Sequence, residues 1–184
     1  ACEQTEQWRS DGLGSISVAV NLSPRQLREA DLKITIQKIM DESGILAECL
    51  ELELTESMIM ENSHSAIRCL QDLKSLGIKI SVDDFGTGYS SLSYLKDFPV
   101  DTLKIDKSFV DDLESSQSQL AIVRAIIVLA HNLNLKVVAE GVENHAQLNL
   151  LTENACDMVQ GYLISKPLRA EEMRNLLLKQ IAKD

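Results

Sequence analysis

The sequence predicts a parallel α/β domain whose strands are arranged as in a (β/α) barrel, and three observations carry that expectation. Short apolar or alternating runs recur along the chain, each followed by a polar cluster and then a stretch of helical period. No G-x-G-x-x-G follows the first run, so a dinucleotide-binding open sheet loses support. Each run also delivers an oxygen-rich or ionisable side chain at its C-terminal end. In a parallel barrel those ends share one face.

The elements follow in order. Ile16–Val20 reads as the first strand. Ser23-Pro24 is a helix-start pair, serine capping and proline in the first turn, and opens a helix expected over Pro24–Ser43. Gly44 ends it in a position suited to the left-handed cap. Leu50–Leu54 is the second strand, and the helix Ser63–Leu76 closes at Gly77. Ile78–Val82 and Asp101–Ile105 are the third and fourth strands, separated by a helix at Ser90–Asp97. A helix at Ser118–Asn132, a strand at Lys136–Ala139, a helix at Asn144–Glu153 and a strand at Met158–Gln160 continue the alternation. Pro167 stops the run after the last strand, and Arg169–Ala182 forms a closing amphipathic helix. No Gly/Ser/Pro-rich linker or internal repeat divides the chain, so residues 1–184 read as a single domain.

Composition narrows the function. Of the 184 residues 45% are hydrophobic and 25% charged, proportions of a folded globular chain. Eighteen basic against 28 acidic residues give a net charge of −10, and the basic residues form no run. That argues against a nucleic-acid polymer as partner. An acidic chain can still handle small anions when divalent cations intervene. Cys2, Cys49, Cys69 and Cys156 show no C-x-x-C spacing and read as reduced thiols. The apolar stretch Ala125–Ala130 is far short of the about 18–20 residues of a membrane span. Ala1–Asp11 is polar rather than signal-like. The expectation is a cytoplasmic domain, which could also be the cytoplasmic part of a membrane-attached sensor protein.

The polar residues at the strand ends are Asn21, Glu53 and Glu56, Asp83 and Asp84, Lys104 and Asp106, Glu140 and Glu143, and Gln160. One such residue is usually a helix cap. Six strands supplying them in register point to a site. Carboxylates and an amide oxygen without histidine or thiolate suit Mg²⁺ or Mn²⁺ rather than zinc. On a regular strand Asp83 and Asp84 would point to opposite faces, so both can serve one site only where the strand ends. There one aspartate could bridge two metals, the arrangement that stabilises both oxygens in phosphodiester cleavage. The alternative for both is capping the next helix. Lys104 lies in T-L-K-I-D, where Leu103 and Ile105 face the helices and Lys104 faces inward with Thr102 and Asp106. A buried lysine needs a partner, either substrate phosphate or a structural carboxylate. Glu143 also fits a plain preference of the helix dipole for acids in a first turn, whereas Glu140 directly continues a strand. Gly86 and Gly88 make the intervening loop mobile enough to gate the site. His64, His131 and His145 lie apart from these groups.

Six motifs in order resemble the EAL domain family: N-L-S-P-R-Q-L (21–27), E-L-T-E-S (53–57), D-D-F-G-T-G-Y-S-S-L (83–92), L-K-I-D (103–106), A-E-G-V-E (139–143) and Q-G-Y-L-I-S-K-P-L (160–168). These domains are bacterial cyclic di-GMP phosphodiesterases. The resemblance implies a TIM-like barrel with one antiparallel strand at its beginning, and Mg²⁺- or Mn²⁺-dependent hydrolysis of cyclic di-GMP to linear pGpG at a two-metal site. By position it implies metal ligands at Asn21, Glu53, Asp83 and Asp84. It places Glu140 as the catalytic handler of water and Lys104 beside that water. Gln160 then belongs to the substrate pocket, Glu56 anchors the D-D-F-G-T-G loop, and Glu143 is a supporting acid.

The sequence departs from the family in one respect: no Glu-Ala-Leu precedes Asn21. Against the about 250 residues typical of a (β/α)₈ barrel, the 184 present read as roughly the C-terminal three quarters of a domain. The expectation is a barrel lacking its first two strands and one metal-ligating glutamate, inactive or weakly active on its own. Six strands would leave two open edges, favouring a homodimer, with regulatory or sensor domains outside this chain. Two other readings compete: a non-catalytic cyclic di-GMP-binding or protein-interaction module, and a metal-dependent barrel enzyme of other chemistry.

Overall fold

Alternation along each strand puts one apolar face against helices and leaves the other face to the polar residues, and the sheet is built on that division. The computed structural model describes residues 1–14, 16–61, 63–87 and 95–181. Its elements are α1 (Cys2–Ser10), β1 (Val18–Asn21), α2 (Pro24–Leu27), α3 (Leu32–Ser43), β2 (Leu50–Thr55), α4 (Glu56–Glu61), α5 (Ser63–Lys74), β3 (Lys79–Phe85), β4 (Thr102–Ile105), α6 (Lys107–Val110), α7 (Gln117–Asn132), β5 (Lys136–Ala139), α8 (His145–Glu153), β6 (Met158–Val159) and α9 (Ala170–Ile181). The strands form one six-stranded sheet in the order β1-β2-β3-β4-β5-β6, and every neighbouring pair is parallel. Each connection therefore moves to the next strand in the same direction. This is the winding of a barrel wall; a doubly wound sheet reverses its order.

On the helix-facing side, Leu52, Leu54, Ile80, Val82, Leu103, Ile105 and Val137 are at most 2% exposed. They share a core with Leu70 and Leu73 of α5 and Val123 and Ile127 of α7. The inner side of the same strands is buried as well but polar, carrying Glu53, Ser81, Thr102 and Lys104. Opposite the polar rim, Lys74 Nζ sits 2.7 Å from Asp101, whose carboxylate also accepts the Ile80 N–H at 2.8 Å. This ties α5 to the start of two strands.

Several expectations need correction. The helix expected over Pro24–Ser43 is two helices, interrupted after Leu27. A capping box of Ser23 and Gln26 starts α2, while α3 buries Leu32, Ile36 and Met40 along a spacing of four. A helix running on without a break would set Leu27 and Leu32 five residues apart, on different faces. The third strand does not end at Val82 but runs to Phe85. The short helices α4 and α6 were not anticipated. The helix expected at Ser90–Asp97 falls largely on residues 88–94, outside the described residues, as do Gly88 and the end of the closing helix.

Candidate active site

Lys104 is the centre of the polar face. It is 5% exposed, and its Nζ lies 2.6 Å from Glu140 Oε1, 2.7 Å from Glu53 Oε1 and 3.3 Å from Asp83 Oδ1. These carboxylates come from the end of β5, from β2 and from β3. Glu53 stands two strands from Lys104, about 10 Å along the hydrogen-bonding direction. Two long side chains reaching across β3 close that gap. The Ser81 hydroxyl is buried without a hydrogen-bond partner among the described residues.

Burial alone would lower the Lys104 pKa. Hydrogen bonds to Glu140 and Glu53, with their charges, outweigh it and hold the ammonium above its ordinary value. Its three carboxylate neighbours thus favour the ammonium form. Burial pushes the Glu140 carboxyl up; Lys104 pulls it back, Asp83 and Glu53 push it further, and the net is upward. Asp84 is also raised, by burial first and then by Asp83 and Asp106, against the pull of Lys104.

Asp83 and Asp84 reach one site by a β-bulge rather than by the strand ending. Val82 pairs with Leu103 and Phe85 with Ile105, so β3 spends three steps where β4 spends two. The extra residue falls at Asp84, which has φ +54°, a left-handed conformation uncommon outside glycine. Both aspartates thereby act on Lys104, Asp83 through an ion pair and Asp84 through its field.

Glu56 is buried in the first turn of α4, and its Oε2 accepts the Gly86 N–H at 2.9 Å. Asn21 is the last residue of β1, in register with Glu53. Gln160 follows β6; its N–H donates to Ala139 O at 2.8 Å and its carbonyl accepts from Val142 N at 3.0 Å. Glu143 lies apart from the Lys104 cluster and pairs instead with Lys107. Lys107 itself was not singled out from sequence. Its signal is position only, as the residue that follows L-K-I-D.

The donor set can be judged for a metal. Glu53, Asp83 and Glu140 bring three carboxylates to one ammonium, with Asp84 next in sequence to Asp83. Among the described residues no three carboxylates stand as a preformed ion cage, because they converge on Lys104. The excess negative charge and the all-oxygen donors nevertheless fit a hard dication.

A concave parallel sheet carrying hard-oxygen donors and a buried lysine at its C-terminal rim defines a β/α-barrel domain with an acidic site. The comparisons make this specific: the EAL domain profile matches residues 1–167, and the chain belongs to that family. It is 46% identical over 180 residues to the signaling protein YkoW of Bacillus subtilis, covering 98% of this chain and 22% of YkoW. It is 44% identical over 177 residues to the cyclic di-GMP phosphodiesterase NbdA of Pseudomonas aeruginosa, covering 96% of this chain and 23% of NbdA. The chain thus spans less than a quarter of the length of these relatives. The structure of the phosphodiesterase MucR of Pseudomonas aeruginosa in complex with c-di-GMP superposes with a TM-score of 0.90 at 42% identity, covering 94% of this chain and 70% of that one. A manganese and cyclic di-GMP complex of Klebsiella pneumoniae BlrP1 gives a TM-score of 0.82 at 30% identity, covering 90% and 42% respectively.

Proposed function

We propose that this domain hydrolyses cyclic di-GMP to linear pGpG with Mg²⁺ or Mn²⁺, acting in the cytoplasm as part of a larger signalling protein. The observation that carries the reading is the buried Lys104 held by Glu140, Glu53 and Asp83, in a chain of a family that includes cyclic di-GMP phosphodiesterases. Asn21, Glu53, Asp83 and Asp84 would hold two ions, which when bound supply positive charge for the phosphate oxygens and lower the pKa of water. The chain's own groups do the rest. Glu140 takes a proton from the attacking water, and Lys104 keeps that carboxylate and the phosphate in place. The water oxygen bonds to phosphorus, the P–O3′ bond breaks, and the 3′ oxygen takes up a proton from solvent water while Glu140 returns its own to solvent. One ring phosphodiester becomes a 5′-phosphate monoester. Gln160 lines the substrate side, Glu56 holds the Gly86 turn and Glu143 supports the Glu140 loop.

Two further properties belong to this reading. Among the described residues β1 and β6 do not pair, so each leaves an open edge, and a homodimer covers such edges. The four cysteines are all free. No helix among the described residues is long and apolar enough to cross a membrane.

The experiment is chromatographic assay of cyclic di-GMP turnover by residues 1–184 with Mn²⁺, and with chelator. Glu140→Gln is expected to lose at least about 10²-fold of whatever turnover is seen. Turnover by these residues alone is expected to be slow, since they contain no E-A-L glutamate. Tight binding of cyclic di-GMP with no hydrolysis under any metal would favour a non-catalytic binding module instead. Light scattering checks the dimer, and a monomer at high concentration would count against it.

A further inference from the structure

Lys107 opens α6 three residues after Lys104, yet its surroundings are different. Its side chain is 48% exposed; its ammonium pairs with Glu143 Oε1 and lies 3.5 Å from Asp111 Oδ1. Its methylene stem lies on Gly141, where an added Cβ would come within 2.7 Å of Lys107 Cδ and 2.8 Å of its Cβ. Gly141 has φ +72°, so it is glycine on two counts, conformation and contact. Lys107 therefore covers the residue directly after Glu140 and holds the acid three residues after it. The other side of the loop is held by backbone bonds, Val142 N donating to Gln160 O and Val142 O accepting from Leu163 N, both at 3.0 Å. It is held also by the buried Gln147, whose Oε1 accepts from Glu143 N at 2.7 Å while its Nε2 donates to Val110 O at 3.2 Å.

We propose that Lys107 is a positioning residue, a clasp that binds the 140–143 loop to the first turn of α6 and so sets the Glu140 carboxylate 2.6 Å from Lys104. The inference rests on the hydrolytic reading for its kinetic consequence, but not for its geometry. Lys104 and Glu140 come from neighbouring strands, β4 and the end of β5, and Glu140 N donates to Ile105 O at 3.1 Å. Beyond that bond comes a left-handed glycine, the point where the loop is easiest to turn. The Lys107–Glu143 pair crosses this point and ties the two strand ends a second time. Exposed ion pairs add little to stability, so this one should act on the placement of Glu140 and hardly on folding.

Two variants test it. Lys107→Met keeps the stem over Gly141 and removes the charge; Lys107→Arg keeps both a long stem and the charge. In a crystal structure of Lys107→Met the Glu140 carboxylate is expected to withdraw from Lys104 by at least about 0.5 Å, and in Lys107→Arg to stay. With cyclic di-GMP and Mn²⁺, Lys107→Met should lose about 10–100-fold in kcat, with KM and Tm nearly unchanged and Lys107→Arg restoring most of the rate. Glu140 unmoved in Lys107→Met overturns the proposal whether or not the chain turns over cyclic di-GMP. So does an unchanged kcat, or a loss confined to Tm. Where the wild-type chain hydrolyses nothing, the crystallographic comparison alone decides the clasp.

Discussion

The two faces of β4 are one residue apart and obey different rules. Leu103 and Ile105, both 0% exposed, meet helices, while Thr102 at 4% and Lys104 at 5% meet only the inside of the sheet. Both faces exclude water. On the outer one the side chains fill space and any apolar neighbour of similar volume serves. On the inner one Lys104 is held by Glu53, Asp83 and Glu140, and exclusion of water strengthens those ion pairs. The outer face is held by packing and the inner one by ion pairing.

The most disruptive way to break this comparison is Lys104→Met. Removing one partner of a buried ion pair costs about 3–5 kcal/mol, here by leaving Glu53, Asp83 and Glu140 without their cation. Urea unfolding in metal-free buffer should show that loss, and Mn²⁺ should recover part of it because ligand binding stabilises the folded state. Activity should vanish at every metal concentration. A variant as stable as the parent without metal would contradict the account of the cluster. Next is Leu103→Ala on the opposite face, expected to cost about 2–5 kcal/mol. Its kcat per folded molecule should be nearly unchanged, and a large fall in kcat without unfolding would show that the faces are not independent.

Ser81→Ala sharpens the comparison with a smaller effect. The hydroxyl is buried with no partner among the described residues, so its removal is expected to be neutral or stabilising within about 1 kcal/mol. A loss well beyond that, by thermal or urea unfolding, would reveal a partner for the hydroxyl. The smallest effect concerns a pair outside the sheet interior. Burial pushes Asp157 up, but hydrogen bonds from His131 and the Val137 N–H, with the charges of His131 and Lys136, bring it below its ordinary value. A depressed carboxyl contributes stability above its unfolded pKa, about 3.9, and loses it as pH falls through the lower folded value. The pair is more than a third exposed, so solvent screens it. The Tm gap between wild type and Asp157→Asn should be small at pH 6 and close as the pH drops toward about 2. A gap that stays constant with pH would rule out this origin.

Much of the fold was legible because strand and helix periods alternate cleanly and because Gly44 and Gly77 punctuate helix ends, with φ +71° and +84°. The break between α2 and α3 was not, since R-E-A-D at 28–31 is as good a helix former as its neighbours. Only the need to turn Leu32, Ile36 and Met40 inward interrupts it. The inward direction of Lys104 could be read from Leu103 and Ile105 on either side. Which carboxylates would meet it could not, because Glu53, Asp83 and Glu140 are brought together by register and curvature rather than by spacing. Glu143 shows the converse: its place in A-E-G-V-E suggested the cluster, yet the turn at Gly141 directs it to Lys107.

The bulge in β3 carries a consequence for how the strand counts its residues. Val82 lies outward and Asp83 inward, and Phe85, 3% exposed, is outward again beside Ile105. Strike Asp84 from the chain and Val82, Asp83 and Phe85 fall into plain alternation, with every apolar contact of the outer wall kept. The second aspartate is thus a spare beat in the strand's rhythm, one the architecture can do without. What the chain gains by carrying it is a second carboxylate at a place where regular pleating allows only one.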